Sequence, residues 1–405
     1  MKIAMLISGG VDSSVSLRLL RDSGHDITAF YLKIWLEDEL AFLGECPWED
    51  DLKYVRAVCE EAGVPLRIAN LQKEYWDEVV SYVIAEAKAG RTPNPDILCN
   101  SRIKFGMFYD RFGKDFDRVA TGHYAQTELR DFPKETFSTP PRLINSFGYR
   151  KNSLPQRQPE EFFRTGNIFS DRKERAEKIL SGNPSVQEVL LKKSPDPIKD
   201  QTYFLSQLSQ AQVNKALFPI GGFQKSEVRE LAKKYKLPNA ARKDSQGICF
   251  LGQVAFDKFL EHYLGTKEGD IVDLKTGKVF GTHKGYWFHT IGQRRGLGLS
   301  GGPWYVASKD IGDNTVFVSN EWRSEEMARD SFIVSRLNWI SGKISGKKNL
   351  SVKLRHGPKE YPCEVKFLDD ERLEVKLDGF DRGIAPGQFA VFYDGKYCLG
   401  GGVIV

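Results

Sequence analysis

Short apolar runs alternate with amphipathic stretches from residue 1 to about residue 128. The apolar runs predict buried strands, at 2–7, 27–35, 64–69 and 119–122. Helical spacing of apolar residues predicts helices at 50–62 and 74–89, and it places Cys59 in the core. Strands that alternate with helices are typical of a parallel sheet covered on both faces. This part of the chain is therefore expected to have an α/β fold.

The pattern breaks between about residues 129 and 191, where prolines and charges are frequent and apolar periodicity is weak. We interpret this stretch as a long, partly disordered surface insertion, and its sequence indicates no function. Helical spacing then returns near 202–208, 210–217 and 226–235. Together, residues 1–253 are expected to form one domain that carries the insertion.

The remaining residues predict two smaller domains. Residues 254–324 begin with a helix near 255–263 and continue with short strands, which indicates a small central domain. Residues 325–405 are expected to form a small β-barrel, because turn signals separate apolar runs with strand-like alternation. These strands are predicted at 350–356, 361–368, 372–377, 388–393 and 397–405. Cys363 and Cys398 fall inside them and are interpreted as structural.

The composition limits the classes of protein to which the chain can belong, but it does not identify the function. The chain has 405 residues, 40% of them hydrophobic and 28% charged, which suits two or three globular domains without a membrane span. Its net charge of +5 permits a polyanionic partner. The cysteines at 46, 59, 99, 249, 363 and 398 form no CxxC pair, so a zinc cage or a disulfide framework is not expected. With a strand predicted from Lys2 and no leader recognised, we expect a cytoplasmic protein, and a plastid or mitochondrial location is the alternative if the chain is organellar.

The segment SGGVDSS, residues 8–14, joins the first strand to the first helix. Glycines permit the tight turn, while the N–H groups and the dipole of the helix N-terminus favour a phosphate. No Gly-Lys-Ser/Thr follows, so the segment is not a Walker A loop, and the third glycine of a dinucleotide fingerprint is missing. SGGVDSS resembles the pyrophosphate loop of the ATP pyrophosphatases, which transfer AMP to a substrate oxygen. An ordinary helix cap is the alternative interpretation.

Two cysteines lie outside the periodic segments. Cys99 follows two prolines in GRTPNPDILCN, and we expect a stiff, extended loop there with the thiol partly exposed. Cys249 lies in the polar, glycine-containing segment KDSQGICFLG, near Lys243. A reactive thiol needs partial exposure and nearby positive charge or a helix N-terminus, and both loops could supply these. A buried structural role is the alternative for each.

The whole chain outside the insertion resembles one enzyme family. SGGVDSS, GRTPNPDILCN, TGHYA, KDQTYFLSQL, LPNAARKDSQGICFLG, FHTIGQRRGLGL and APGQFAVFYDGKYCLGGGVI occur in the order found in the tRNA-specific 2-thiouridylases. The resemblance implies an ATP-pyrophosphatase domain, a small central domain and a C-terminal barrel. It also implies formation of 2-thiouridine at the wobble position of tRNA. The implied partners are ATP with Mg²⁺, tRNAs of the Lys, Glu and Gln type, and a sulfur donor such as a cysteine desulfurase or a relay protein.

The resemblance also assigns roles to individual residues. Those matched to ATP binding are Leu6, Ile7, Ser8, Gly9, Gly10, Val11, Asp12, Ser13, Leu32 and Gly122. Those matched to catalysis are Cys99 as nucleophile, Asp96 as acid/base and Cys249 as persulfide carrier. Those matched to tRNA contacts are Asn94, Pro95, Asp96, Lys199, Asp200, Gln201, Arg355 and His356. No protein-held metal is implied.

The implied reaction explains why an ATP site, a base-binding segment and two cysteines would occur in one protein. The C2 oxygen of uridine is a poor leaving group, and transfer of AMP to it provides a good one before sulfur attacks. The target base must leave its stack to be reached, and phosphate contacts are expected from basic residues such as Arg294 and Arg295. Two alternatives stay open at this point: an AMP-forming ligase acting on a small molecule, and a non-catalytic RNA-binding relative.

Overall fold

The structure, a computed structural model, describes residues 1–34, 48–130, 188–243, 256–321, 328–341, 344 and 350–405. Within these ranges, the residues of Met1–Glu128 and Val189–Val405 belong to one compact unit. Cys46, Cys249 and the predicted insertion between 131 and 187 lie outside the described residues. None of the helices in the described ranges is long and apolar enough to cross a membrane.

A five-stranded parallel sheet forms the centre of the N-terminal half. Its strands are β1 (Lys2–Leu6), β2 (Asp26–Lys33), β3 (Leu66–Asn70), β4 (Arg118–Ala120) and β7 (Ala216–Leu217). The spatial order is β3-β2-β1-β4-β7, and each neighbouring pair is parallel. The carboxyl ends of all the strands therefore meet at one edge, where ligands bind in open α/β sheets. The α/β expectation is confirmed.

Helices pack on this sheet where their apolar stripes were predicted. Helix Val11–Asp22 follows β1. In helix Trp48–Ala62, Cys59 is buried in the core between the helix and the sheet. A continuous helical stretch covers 72–88, with a π-helical turn at Trp76–Val80. The predicted helices at 50–62 and 74–89 are thus confirmed, as is the burial of Cys59.

The segment from 202 to 235 matches its prediction in part. Helix Lys225–Lys234 confirms the prediction at 226–235, whereas 202–208 contains only the short 3₁₀ helix Thr202–Leu205. The helix predicted at 210–217 ends at Lys215, and the next two residues form β7 beside β4. A two-residue strand carries no periodicity, so the apolar pattern could not separate it from the preceding helix.

The central module contains helix Phe256–Leu264 and a small sheet. Its strands are β8 (Gly269–Asp273), β9 (Val279–His283), β10 (Tyr305–Asp310) and β11 (Thr315–Ser319), in the order β10-β11-β8-β9. Ile271, Val306, Val316 and Val318 form a buried core of its own. The predicted helix and short strands are therefore present.

The C-terminal residues form a closed barrel. Its strands are β12 (Arg329–Trp339), β13 (Leu350–Lys353), β14 (Tyr361–Phe367), β15 (Arg372–Asp381), β16 (Phe389–Asp394) and β17 (Tyr397–Ile404). The order is β12-β15-β14-β13-β16-β17, and β12 also pairs with β17, which closes the sheet. Cys363 lies half-buried in β14 and Cys398 lies buried in β17. The barrel and the placement of both cysteines in strands are confirmed.

Two further strands connect the barrel to the N-terminal half. They are β5 (Ala125–Leu129) and β6 (Val189–Lys193). β6 pairs antiparallel with β17, with Cys398 opposite Leu191, and β5 continues the sheet beyond it. The predicted insertion at 129–191 was therefore too long at its end, because residues 189–191 belong to β6.

Candidate active site

The segment between β1 and the first helix requires glycine at position 9. Gly9 has a φ of +78°, and a Cβ there would lie 2.7 Å from the carbonyl oxygen of Asp51. Backbone in this region of φ favours glycine, and the close approach excludes a side chain. The chain can thus turn directly from Ser8 into the helix that begins at Val11.

The hydroxyls of Ser13 and Ser14 hold this turn in place. Ser13 Oγ accepts from the Ser8 N–H at 3.3 Å and lies 3.0 Å from the Gly10 carbonyl oxygen, to which it donates. Ser14 Oγ donates to the same carbonyl oxygen at 3.0 Å. No side chain in the described ranges caps the helix, so its N-terminal N–H groups and dipole can act on an anion.

Asp12 is the charged side chain of the loop, and other elements hold it. Lys225 Nζ donates to both carboxylate oxygens, at 2.7 and 2.9 Å, and the Tyr124 hydroxyl donates at 2.9 Å. Lys225 is the first residue of helix Lys225–Lys234, far from the loop in sequence. Sequence reasoning missed this lysine, because nothing in its local pattern points to the loop.

The segment before Cys249 reaches the glycine loop. Asn239 Nδ2 donates to the Gly9 carbonyl oxygen at 2.8 Å and to Ser14 Oγ at 2.9 Å. Arg242 also donates to Gly9 O, at 3.1 Å, and pairs with Asp51. Both residues belong to the motif LPNAARKDSQGICFLG. The resemblance therefore pointed to this segment, but the contact of the two residues with the glycine loop was not predicted. The chain therefore enters the Cys249 segment beside this loop, while Cys249 itself lies outside the described residues.

Gly122 and Leu32 lie at the same edge of the sheet. A Cβ on Gly122 would approach the Ser13 nitrogen to 2.7 Å, so only glycine allows β4 to end against the loop. Leu32 is near the carboxyl end of β2 and partly buried, and Leu6 and Ile7 are buried. The structure thus brings the residues matched to ATP binding together around one turn.

Cys99 lies in a helix, and the expected extended, partly exposed loop is wrong. Pro95 is the first residue of helix Pro95–Leu98, which continues through a π-helical segment at Cys99–Met107. Proline at the first helical position loses no hydrogen bond, so it starts a helix there. Cys99 is only 1% exposed. Burial raises the pKa of its thiol, the Asp96 charge adds to the rise, and Lys104 and a hydrogen bond from Tyr75 oppose it.

Asp96 carries an unsatisfied oxygen one helical turn before the thiol. Its Oδ1 is buried and has no hydrogen-bond partner within the described ranges. A buried acceptor without a donor is costly, and such a group in a native fold requires an explanation. Asn94 begins the same turn as the residue before Pro95. The matched residues 94–96 and Cys99 are therefore adjacent. Among the described residues, no hydrogen-bond donor reaches Asp96 Oδ1.

The chain before this helix is fixed from two other parts of the molecule. The Thr92 N–H donates to the Pro386 carbonyl oxygen at 2.8 Å, and Gln388 Nε2 donates to Thr92 O at 3.2 Å. From the central module, Thr290 Oγ1 lies 3.5 Å from Thr92 Oγ1, and the Tyr286 hydroxyl donates to Lys88 O at 2.5 Å. The barrel and the central module thus both position the residues that lead to Asn94.

Lys104 interacts electrostatically with both the Cys99 thiol and the His123 ring. Lys104 Nζ donates to Asn100 Oδ1 at 3.0 Å, and its charge acts on both Cys99 and His123. His123 is buried, which holds the pKa of its ring well below its ordinary value, and its Nδ1 lies 2.7 Å from Thr121 Oγ1. The TGHYA motif contains His123, but Lys104 was not predicted from the sequence.

The matched triplet 199–201 divides between surface and interior. Asp200 is buried, and its carboxylate accepts from Thr202 Oγ1, from the Ser194 N–H and from Lys353 Nζ at 3.1 Å. Gln201 is half-buried and its Oε1 accepts from the Tyr124 N–H at 3.0 Å, while Lys199 is half-exposed. In this conformation the Asp200 carboxylate holds other parts of the protein, and the tRNA role of the triplet stays a prediction.

We expect Lys353→Met to lower the free energy of unfolding by about 3 kcal/mol. Lys353 and Asp200 have side-chain exposures of 3% and 2%, so removing the lysine leaves a buried carboxylate without its cation. Urea unfolding would measure the change. The exposed Lys366→Met, on the neighbouring strand β14, serves as the control and should change stability by less than about 0.5 kcal/mol. Equal effects of the two substitutions would contradict the interpretation.

Arg355 and His356 approach the same region from the barrel. His356 Nε2 lies 3.1 Å from the Asp200 carbonyl oxygen, and its ring stacks on Phe204 with centroids 4.6 Å apart. The charge of Asp96 acts on this histidine. Arg355 is exposed and pairs with Asp381. His356 thus contacts the buried Asp200 segment, and the tRNA role of the barrel pair stays a prediction.

Three family models cover most of the chain. A tRNA methyl transferase HUP domain matches residues 1–143 and 174–253. A tRNA methyl transferase PRC-barrel domain matches 257–320, and an aminomethyltransferase beta-barrel domain matches 329–404. The three matches follow one another along the chain and correspond in order to the α/β half, the central module and the barrel.

Curated relatives match along the full length. The tRNA-specific 2-thiouridylase MnmA of Parabacteroides distasonis is 42% identical over 411 aligned residues, covering 100% of this chain and 99% of the relative. MnmA 2 of Bacteroides fragilis is 40% identical with 100% of both chains covered, and MnmA of Porphyromonas gingivalis is 39% identical with 100% and 99% covered. Among solved structures, the U34-tRNA thiolase NcsA of Methanococcus maripaludis with its [4Fe-4S] cluster matches 64% of both chains at 17% identity and a TM-score of 0.31. Identity near 40% over the full length of these curated relatives shows that the chain belongs to the tRNA-specific 2-thiouridylase family.

Proposed function

We propose that this protein is a tRNA-uridine 2-sulfurtransferase that forms 2-thiouridine at the wobble position. Family membership supports the reaction class. The observation that carries the proposal is the placement of the buried Asp96 Oδ1, which has no hydrogen-bond donor among the described residues, one helical turn from Cys99. Thiolation of a nucleobase requires a group that can bind the base close to a thiol, and this helical turn offers both.

The glycine loop fits the phosphates of ATP. Gly9 and Gly122 let the backbone of the loop pack closely against Asp51 and the end of β4, and the helix that begins at Val11 directs its N-terminal dipole toward the loop. We infer that the backbone from Ser8 to Ser13 binds the phosphates and that Leu32 lies on the adenine side. Mg²⁺ would enter bound to the phosphates of ATP, because Lys225 and Tyr124 already occupy the carboxylate oxygens of Asp12.

The first step activates the base. The C2 oxygen of uridine attacks the α-phosphorus of ATP, pyrophosphate leaves, and AMP becomes attached to that oxygen. Asp96 is suited to act as the acid/base, because its Oδ1 has no hydrogen bond to lose within the described residues when the base arrives. A flipped uridine supplies an N–H donor to this oxygen.

The second step transfers sulfur. A donor loads Cys249 with a persulfide. Its terminal sulfur attacks C2 directly, and the Cys99 thiolate then attacks the Cys249 sulfur and releases the 2-thiouridine; alternatively, Cys99 attacks the persulfide first and frees hydrosulfide, which attacks C2. AMP departs with the former C2 oxygen, and a Cys99–Cys249 disulfide remains for an external thiol to reduce. Because Cys99 is 1% exposed and burial raises the pKa of its thiol, we infer that the thiol becomes more exposed before it reacts.

The partners follow from the same proposal. The substrate is tRNA of the Lys, Glu and Gln type, and the sulfur donor is a cysteine desulfurase or a relay protein. Lys199, Gln201, Arg355 and His356 are proposed to contact the tRNA around the flipped base, with Asp200 in support. The protein is proposed to act in the cytoplasm.

Mass spectrometry of nucleosides tests the proposal. The protein is incubated with unmodified tRNA, ATP, Mg²⁺ and a cysteine desulfurase with cysteine, and the tRNA is then digested. New 2-thiouridine that depends on ATP is the expected result. Release of AMP without modified tRNA would overturn the proposal and favour an AMP-forming ligase for a small molecule. Binding of tRNA without consumption of ATP would favour a non-catalytic RNA-binding protein.

A further inference from the structure

A glycine-rich loop of the central module, residues 293–304, carries Arg294 and Arg295, for which the sequence predicts phosphate contacts, but the other residues of the loop have no role so far. Leu297 anchors it, since this side chain is 7% exposed and packs in the core with Ile271 and Val306. Trp304 Nε1 donates to the Ser300 carbonyl oxygen at 2.9 Å, which ties the end of the loop to its middle. The loop therefore holds its side chains in defined positions.

Two adjacent arginines extend from this loop. Arg294 and Arg295 are both exposed, and neither guanidinium forms an ion pair within the described residues. Arg294 lines a cavity of ≈ 250 Å³ together with Leu297, Leu299 and Trp304. An exposed pair of arginines beside a cavity with an aromatic wall can bind an anion and a flat group at the same time.

Aromatic and cationic side chains continue this surface onto strand β9. The rings of Trp304 and Phe280 lie 4.6 Å apart, and Lys278 Nζ is 5.9 Å from the centre of Phe280. Both rings are partly exposed, and Lys278 is exposed. The five residues Lys278, Phe280, Arg294, Arg295 and Trp304 are called the central basic face below. Cations that alternate with aromatic rings are typical of protein surfaces that bind nucleic acids.

The position of this face relative to the Asp96 turn supports an RNA ligand. Thr290, in the same segment, contacts Thr92, which is two residues before Asn94. Arg294 is four residues beyond Thr290, a distance of at most about 14 Å along the chain. An RNA whose base occupies the Asp96 turn therefore continues within reach of the central basic face.

We propose that the central basic face binds tRNA outside the target uridine, with Arg294 and Arg295 on phosphates and Trp304 stacked on a base or ribose. The proposal rests on the proposed function, since it assigns a second contact region to the same substrate. RNA is favoured over a protein partner because the arginines flank an aromatic wall of the cavity, which suits a phosphate next to a planar base.

Binding of labelled tRNA to the full-length protein tests the arginines. The double variant R294A/R295A is expected to raise the Kd for tRNA at least 10-fold near physiological salt. It should also reduce the slope of log K against log salt by about 1.5, because two phosphate contacts are lost. The control K233A/K234A removes the same charge from exposed lysines at the end of helix Lys225–Lys234, and it should change the Kd less than 2-fold.

Trp304 gives an independent readout. W304L should raise the Kd about 5-fold or more without changing the salt slope, because stacking releases no counterions. W304F retains a ring and should restore most of the affinity. ATP affinity should stay unchanged in all variants, which shows that the α/β half is intact.

The outcomes separate this proposal from the proposed function. Wild-type protein that thiolates tRNA, with R294A/R295A binding tRNA as the wild type does, would overturn only the central basic face. Normal tRNA binding by R294A/R295A with slower sulfur loading from the desulfurase would likewise overturn it and indicate a protein-docking surface. Equal losses in R294A/R295A and K233A/K234A would also overturn it, because net charge alone would explain them. Absence of thiolation by the wild type would instead contradict the proposed function.

Discussion

Cys99→Ser is expected to lower 2-thiouridine formation by on the order of 10³-fold or more, because a serine hydroxyl can neither attack a persulfide nor form the disulfide. Pyrophosphate release in the presence of tRNA should persist for the first turnover, since the glycine loop and Asp96 are unchanged. Nucleoside mass spectrometry and a pyrophosphate assay measure the two steps separately.

The matched control is Cys363→Ser. Cys363 is half-buried in strand β14 of the barrel, and burial raises the pKa of its thiol to about 12, so it is an inert structural thiol. Thiolation by C363S should stay within about 2-fold of the wild type. Wild-type rates of 2-thiouridine formation by C99S would contradict the mechanism. Loss of pyrophosphate release together with thiolation would mean that the thiol supports the fold of the site.

Cys249→Ser supplies the complementary result. If Cys249 carries the persulfide, C249S should abolish thiolation to the same extent as C99S, and the double variant should be no worse than either single one. Residues that act as one unit show this lack of additivity. Residual thiolation by the double variant would exclude both cysteines as sulfur carriers.

Gly122→Ala is expected to lower ATP-dependent pyrophosphate release by on the order of 10²-fold, because the added methyl group displaces the loop. A Cβ at this position would lie 2.7 Å from the Ser13 nitrogen and 2.9 Å from its Cα, both of which are backbone atoms. The loop must therefore shift away from β4, and displacements of about 1 Å at a reacting centre have effects of this size.

The control for this substitution is Gly222→Ala. Gly222 has no left-handed φ, and a Cβ there would meet no atom within 4 Å. The two variants introduce the same methyl group, so G222A should retain ATP affinity and pyrophosphate release within about 2-fold. Calorimetric titration with a non-hydrolysable ATP analogue would show the loss of binding in G122A. Unchanged binding and release in G122A would mean that ATP does not use the loop beside Gly122.

The regular parts of the fold could be predicted from the sequence because each has its own period. The buried strand β1 and the strands β14 and β16 are visible as apolar runs or alternation. β7 was not predicted because it has only two residues. β12 was not predicted because many of its positions are polar and exposed, although it is the longest strand of the barrel.

The candidate site was likewise predictable from the sequence only in part. The glycine loop could be identified from its local sequence, since a strand, two glycines and a helix N-terminus are contiguous there. Lys225 and Asn239 are far from that loop in sequence and contact it only in the folded protein, so no local sequence pattern predicts their contacts. The error at Cys99 has a local cause: Pro-Asn-Pro was interpreted as extended, whereas its second proline begins a helix.

The pairing of β6 with β17 has a consequence for the nascent chain. Among the described strands, β17 covers the edge of β6, and β17 is synthesised long after β6, so the nascent chain carries an open strand edge in the interval. Unpaired edges recruit other chains, and contacts this distant in sequence form slowly. Chains that stop before residue 397 should therefore expose this edge and aggregate, whereas chains that include β17 should cover it.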